Sequence, residues 1–322
     1  MKKFFFSIAW LAAALCIQAQ ERIEPIPFGD FETWTVRYIK ESGILGGKVK
    51  TQYFPAPTDT IWTNTVYQYG QFGNWWSTSN AYAKVAGIEK ASGSVRPEAR
   101  TDERGGICCR MDCRVDGITA LGIIDLNVFV AGSIFTGATN EPVTQREAHD
   151  PYSVLDVGVP FTGHPIALML DYKAVIENSD VITFAKAVAK PKYLKGHDEA
   201  EFYVFLQQRW EDAEGNIHAR RVGTAYERVS QTVPEWENDH RIDIHWGDIR
   251  QMPGYQDYMG LNCKAFKARN SQGRMVTIQE EGYSINEPTH IIIMLTSGKY
   301  EAFVGHEGNS LWIDNIRLVY KD

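Results

Sequence analysis

The chain has 322 residues, of which 44% are hydrophobic, 23% charged and 12% aromatic, with 27 Gly, 13 Pro and 5 Cys. A chain this rich in aromatics and this poor in Gly and Cys is neither disordered, collagen-like nor a disulfide scaffold. Lys and Arg number 33 against 40 Asp and Glu, for a net charge of -7, which leaves no basic footprint for nucleic acid or for an acidic membrane.

Lys2 and Lys3, the apolar run from Phe4 to Ile17 and the small residue in Gln18-Ala19-Gln20 read as a secretory signal covering residues 1–19. The run is shorter than the roughly 18 residues a membrane-spanning helix needs, and no later segment is long enough to span. Leu15 stands before Cys16 where a lipid-attachment motif wants a small residue, so lipidation at Cys16 is the lesser reading. The expectation is an exported protein, periplasmic, cell-surface or secreted, whose residues 20–322 form one domain, since no linker, charge run or repeat divides them.

Alternation with period two recurs along this domain. Ile107, Cys109, Met111, Cys113 and Val115 alternate with polar neighbours; if 107–115 is one strand, Cys109 and Cys113 lie about 13 Å apart, beyond disulfide reach, and core thiols are expected. Ile124, Leu126, Val128 and Val130 repeat the pattern, as do Ile166, Leu168, Leu170 and Tyr172. Phe202, Val204 and Leu206 alternate with Tyr203, Phe205 and Gln207, and the turn formers of 211–216 close a hairpin before Ile217. Ile242, Ile244 and Trp246, then Ile291, Ile293 and Leu295, lead to a last strand over 311–320. Helical periodicity is confined to 185–189, which reads equally well as strand. Many strands without intervening helices predict an all-β fold, two stacked antiparallel sheets in a jelly-roll or β-sandwich.

Phosphate loops, dinucleotide fingerprints, Gly-X-Ser-X-Gly elbows, Cys-X-X-Cys pairs and His-Glu-X-X-His motifs are absent. No nucleotide or redox cofactor is expected. His240 and His245 are five apart, a poor metal pair on one strand. Trp62, Trp75, Trp76 and Tyr82 crowd a segment rich in Gly, Asn, Ser and Thr. Indole faces suit the C–H faces of sugars, so Trp62, Trp75, Trp76 and Asn80 are the candidate carbohydrate-binding residues. Consecutive residues on an extended chain point to opposite sides, so one of Trp75 and Trp76 is expected in the core. A glycosidase needs two carboxylates about 5 to 9.5 Å apart. Asp112, Asp171, Glu201 and Glu211 are conceivable members of such a pair, and the sequence does not choose among them.

The opening Phe28-Gly29-Asp30-Phe31-Glu32 and the closing Trp312-Ile313-Asp314-Asn315 resemble the ends of jelly-roll carbohydrate-binding modules. That resemblance implies adjacent strands and a possible structural calcium held by Glu32 and Asp314. Trp76-Ser-Thr-Ser-Asn80, Ala131-Gly-Ser-Ile-Phe-Thr-Gly137, Gly158-Val-Pro-Phe-Thr-Gly-His-Pro165 before Asp171-Tyr-Lys173, and Thr296-Ser-Gly-Lys-Tyr-Glu-Ala-Phe-Val-Gly305 before Ser310-Leu-Trp-Ile-Asp-Asn315, taken in order, resemble the PCMD family, whose initials stand for "putative carbohydrate metabolism domain". The resemblance implies a jelly-roll of exported bacterial proteins that often lie beside glycan-processing systems. The family's activity is unsettled, and the expectation is a non-catalytic binder of oligosaccharide or polysaccharide. A glycoside hydrolase and a structural or assembly protein of the cell envelope are the alternatives.

Overall fold

The structure, a computed structural model, describes residues 20–62, 64, 74–120, 124–144, 146–147, 150–186 and 190–321, with side chains described for all but 117–126 of these. The signal segment with Cys16, and residues 187–189 of the ambiguous 185–189 stretch, lie outside the described residues.

Strands dominate, interrupted by short 3-10 turns. One sheet has the antiparallel order Val233–Asp243, Pro165–Val175, Ser310–Lys321, Ile107–Asp112, Val95–Ala99, with Glu21–Pro25 also on Ser310–Lys321. Its inner side chains, among them Leu168, Leu170, Leu311, Ile313 and Met111, form one core with Phe202, Val204, Leu206, Ile291, Ile293 and Leu295 of a second, ten-stranded sheet. This is the predicted two-sheet arrangement, with Phe202, Val204, Leu206, Ile291, Ile293 and Leu295 facing inward as the sequence pattern sets them.

The other face of the large sheet is buried as well. Its strands pair in the order His290–Thr296, Ala200–Glu211, Ile217–Val229, Met275–Tyr283, Lys267–Arg269, Leu155–Val157, Ser133–Thr139, and the last pairs with the first again. The sheet thus curls into a closed ring. Two of the steps are parallel, Ile217–Val229 on Met275–Tyr283 and Leu155–Val157 on Lys267–Arg269. Inside the ring Phe135, Val157, Tyr203, Phe205, Phe266, Ile278, Ile292 and Met294 make a second core. Burial on both faces explains why 291–295 is an unbroken apolar run rather than an alternating one. Gly137 closes the ring: its φ is +141° and a Cβ there would lie 2.2 Å from the carbonyl oxygen of Asp156, so a side chain would force the two strands apart.

One end of the ring is sealed by charge. Glu280 accepts from Arg221 Nε and Nη2 at 2.5 Å each, from Gln207 Nε2 at 2.7 Å and from the Asn262 amide at 2.9 Å, while the Arg221 guanidinium lies 3.5 Å from the centre of the Phe205 ring. Burial opposes the charge on Glu280, yet Arg221 and these donors hold its carboxyl below the ordinary range.

The strand read over 107–115 is broken at Cys113, whose amide donates to Asn309 O instead of continuing the ladder. Cys109 and Cys113 are buried, and all four described cysteines are free. The hairpin between Ala200–Glu211 and Ile217–Val229 forms where the turn residues predicted it.

Removing one member of a buried, hydrogen-bonded ion pair leaves the other uncompensated, at a cost of about 3–5 kcal/mol. Glu280→Ala is therefore expected to lose stability on that scale in urea denaturation, and a loss below about 1 kcal/mol would show that the ring end does not depend on the pair.

Candidate functional site

The open end of the ring carries a cavity of about 390 Å³. Phe135, Tyr203, Phe266 and Met294 of the ring interior form its floor, Phe129 and Val130 of Ile124–Val130 one wall, and Tyr152, Val154 and Leu155 another. The loop from Gly298 to Val304 completes it with Tyr300, Glu301 and Phe303. Asp198 positions that loop. Its buried carboxylate accepts from the amides of Glu199, Lys299 and His306, each at 2.9 Å, so a single side chain ties the segment on both flanks. Burial raises the Asp198 carboxyl above the usual range despite these bonds.

Four acids line the cavity, and three of them are engaged by the protein. Glu201 accepts from Tyr226 Oη at 2.7 Å, Arg228 Nε at 2.8 Å and Lys264 Nζ at 3.2 Å. Glu301 accepts from the Tyr152 hydroxyl, and Glu147 from the Thr144 hydroxyl and amide. Asp116 differs: its Oδ2 is buried with no hydrogen-bond partner among the described residues. Lys90, also in the lining, supplies the neighbouring positive charge, with burial drawing its ammonium below the usual lysine range against the pull of Asp116.

The sequence-predicted binding residues are dispersed. Trp76 is fully buried, donates from Nε1 to Pro27 O at 3.0 Å and packs near Phe31. Trp75 is half-buried, packs against the same core and meets Phe161 edge-on at 5.9 Å. Trp62 is 72% exposed and stacks on Tyr38 at 4.0 Å. Among the described residues no ring contact joins Trp62 to Trp75. Asn80 borders the cavity, but its amide is spent. Its Nδ2 donates to Tyr53 O and Val95 O, and its Oδ1 accepts from the Ser94 and Val95 amides. It clamps three chain segments.

Of the four acids considered for hydrolysis, only Glu201 reaches the cavity. Asp112 is held by Arg96, Arg110 and Ser310, and Glu211 by the Ser271 amide and hydroxyl. Asp171 belongs to a cluster on the outer face of the six-stranded sheet, where it lies directly across from Asp314. Like charges so placed repel, and the buried guanidinium of Arg100 sits between them, 2.8 Å from one and 2.7 Å from the other.

That cluster bears on calcium. Asp171 faces burial but gathers the Asp239 amide, Arg100, Asn315 and Arg104, which hold it below the usual range. Asp314 has fewer donors, and burial pushes its carboxyl up to about 6. Glu32 accepts the Ile107 amide at 3.0 Å. The adjacency implied for the two ends is present, with Ile26 and Gly29 bonded to Ile316. Calcium wants six to eight oxygens. Here a guanidinium already occupies the cation position at Asp314, and among the described residues no three His, Cys, Asp or Glu converge as a metal site. Arg100 is the cation that Asp314 holds in this arrangement, and Glu32 turns to the Ile107 amide.

A family model described as "Putative carbohydrate metabolism domain" matches residues 50–319. The chain belongs to the PCMD family. Its family-like motifs now have places: Ala131 to Gly137 runs into the strand that closes the ring, and Thr296 to Gly305 carries the loop over the cavity. No curated protein matches the sequence. Among solved structures, one described as a putative glycoside hydrolase from Bacteroides thetaiotaomicron is similar at 17% identity, over 86% of this chain and 76% of that chain, with a TM-score of 0.44. A likeness that distant carries no activity across. Asp116 and Tyr152 were not singled out from sequence: one lies in an ordinary strand and the other at a loop turn, and only the ring brings them together.

Two expectations follow. Trp76→Ala is expected to cost about 3–5 kcal/mol in chemical denaturation, whereas Trp62→Ala should cost about 1 kcal/mol or less; equal losses would contradict the burial assigned to each. The melting temperature is expected to be the same in chelator as in added calcium, and a clear rise with calcium would place a metal among these carboxylates at the expense of Arg100.

Proposed function

We propose that this PCMD protein is an exported, non-catalytic carbohydrate-binding protein of a glycan-utilisation system, and that the cavity at the open end of the ring is where a sugar sits. The observation that carries the reading is the combination of aromatic walls with the one unpartnered acceptor. Tyr203, Phe129, Tyr152 and Phe303 offer apolar faces and ring edges to sugar C–H groups. Asp116 Oδ2 offers a buried acceptor whose desolvation is uncompensated until a donor, such as a sugar hydroxyl, arrives. Pockets of this kind fix a ligand with a few convergent polar groups on an apolar lining.

Binding is favoured over turnover by how the acids are held. Both forms of glycoside hydrolysis need one carboxyl to give a proton while a second acts as nucleophile or activates water. In this cavity Glu201, Glu301 and Glu147 are each tied to protein donors, which leaves Asp116 without a similarly free partner.

The test is a panel of oligosaccharides and polysaccharides, scoring retention and release of new sugar ends together. Retention without release is expected. Asp116→Asn and Tyr152→Ala are each expected to weaken retention by roughly tenfold, the scale of losing one hydrogen bond to a charged group or one aromatic contact. Release of sugar ends by the wild-type protein would overturn the non-catalytic reading, and retention indifferent to both substitutions would remove the cavity as the site.

A further inference from the structure

The chain is acidic overall, yet residues 186–195 read Lys-Ala-Val-Ala-Lys-Pro-Lys-Tyr-Leu-Lys, with four cations and no acid. Among the described residues none of Lys186, Lys190, Lys192 and Lys195 makes an ion pair; other lysines such as Lys48 and Lys173 also lack one, but only these four crowd into ten residues without an acid. Lys192–Lys195 is an edge strand, exposed at every residue, and Tyr193 on it is 72% exposed. Tyr193 and Lys195 share one face of the strand, about 7 Å apart along it.

This strand lies two strands away from the cavity. It pairs with Val181–Phe184, which pairs in turn with Val304–Gly305, and Val304 lines the cavity. The Lys186 ammonium lies 5.2 Å from the centre of the Phe303 ring, and Tyr300 donates to His197 O just past the strand. Phe303 and Tyr300 belong to the cavity wall. A lysine on an edge strand also discourages pairing with other chains, but that role calls neither for an exposed tyrosine beside it nor for Lys186 and Lys190 ahead of the strand.

Resting on the carbohydrate reading above, we infer that the glycan is an anionic polysaccharide, carrying carboxylate or sulfate groups, which runs from the cavity across the Lys192–Lys195 strand. Tyr193 offers a stacking face for a sugar ring. The unpaired lysines supply the countercharge, and on a protein of net charge -7 a neutral polymer would have no use for them. Only short-range attraction can work on such a background, because charges farther apart than about 10 Å are screened at 0.1 M salt.

The experiment compares retention on immobilised dextran with dextran sulfate, and on polygalacturonate with its methyl ester, so that backbone is held constant while charge changes and the carboxylate and sulfate arms are separate. Retention by at least one anionic polymer, well above its uncharged counterpart and declining with added salt, is expected. Lys192→Glu with Lys195→Glu should weaken it by roughly tenfold or more, as reversing charges across a contact does, and Tyr193→Ala should weaken it by a smaller factor while leaving its salt dependence intact. These sites are exposed, so the variants keep the wild-type melting temperature. Equal retention of charged and uncharged polymers, or indifference to the double charge reversal, overturns the inference while the cavity reading stands or falls on Asp116→Asn. Anionic retention lost on charge reversal but unchanged by Asp116→Asn keeps the anionic ligand and the lysine strand but overturns the part of the inference that runs the glycan from the cavity. No retention of any glycan overturns both.

Discussion

Closure of the large sheet on itself is the constraint from which the rest of the molecule follows. Open antiparallel sheets of a sandwich bury one face and leave the other to water. Here the pairing of Ser133–Thr139 with His290–Thr296 returns the sheet to its starting strand, so its inner face is enclosed, and the strands that also back the six-stranded sheet, such as His290–Thr296, are buried on both faces while Met275–Tyr283 still alternates with exposed residues. The ring then needs an answer at each end for the polar groups its strands bring in. At one end Arg221 and Glu280 supply it by satisfying each other, with Gln207 and Asn262 taking up the remaining capacity. At the other end the side chains do not meet across the opening, and a cavity results.

That asymmetry sets what the protein can do. A ring plugged at both ends would be inert, and one plugged at neither would be an unstable tube of exposed aromatics. Asp198 converts the open end into a defined shape because it fixes both flanks of the Gly298 to Val304 loop from a single buried carboxylate. A rigid wall matters for the proposed sugar ligand, whose many hydroxyls would give little affinity unless the groups that receive them were already in place. The outer face of the six-stranded sheet has a different economy. Asp171 and Asp314 are forced together by register, and Arg100 is the resident cation that makes their juxtaposition tolerable.

Much of the fold was legible because strand periodicity is a local signal. Phe202 to Gln207 and Ile291 to Leu295 mark strands in the sequence itself, and the turn at 211–216 marks its hairpin, whereas the burial of both faces of those strands came only with the structure. Ring closure was not legible, since parallel pairing of Leu155–Val157 with Lys267–Arg269 joins segments more than a hundred residues apart with no local trace. The candidate site suffered for that reason. Tryptophan clustering in sequence drew attention to 62–80, but Trp76 is a core residue pinning the Pro27 carbonyl and Asn80 is a clamp. The ring and its loop assemble Tyr152, Tyr203, Asp116 and Phe303 from four separate stretches. The acids show the same division: Glu201 was among the residues considered, while Asp116 carried no signal beyond being one of 40 Asp and Glu.

The placement of Ser310–Lys321 has a consequence for how the chain folds. This strand, the last in the chain, occupies the middle of its sheet, pairing with Glu21–Pro25, Ile107–Asp112 and Pro165–Val175. Until it is available, those earlier segments have no common neighbour and the six-stranded sheet has no centre. Assembly of that sheet therefore waits for this strand, and contacts spanning some 300 residues, such as Glu21 with Lys321, make it slow by topology alone. Trimming a few residues from the Ser310–Lys321 strand would accordingly do far more damage than trimming the exposed Glu21–Pro25 strand that lies beside it.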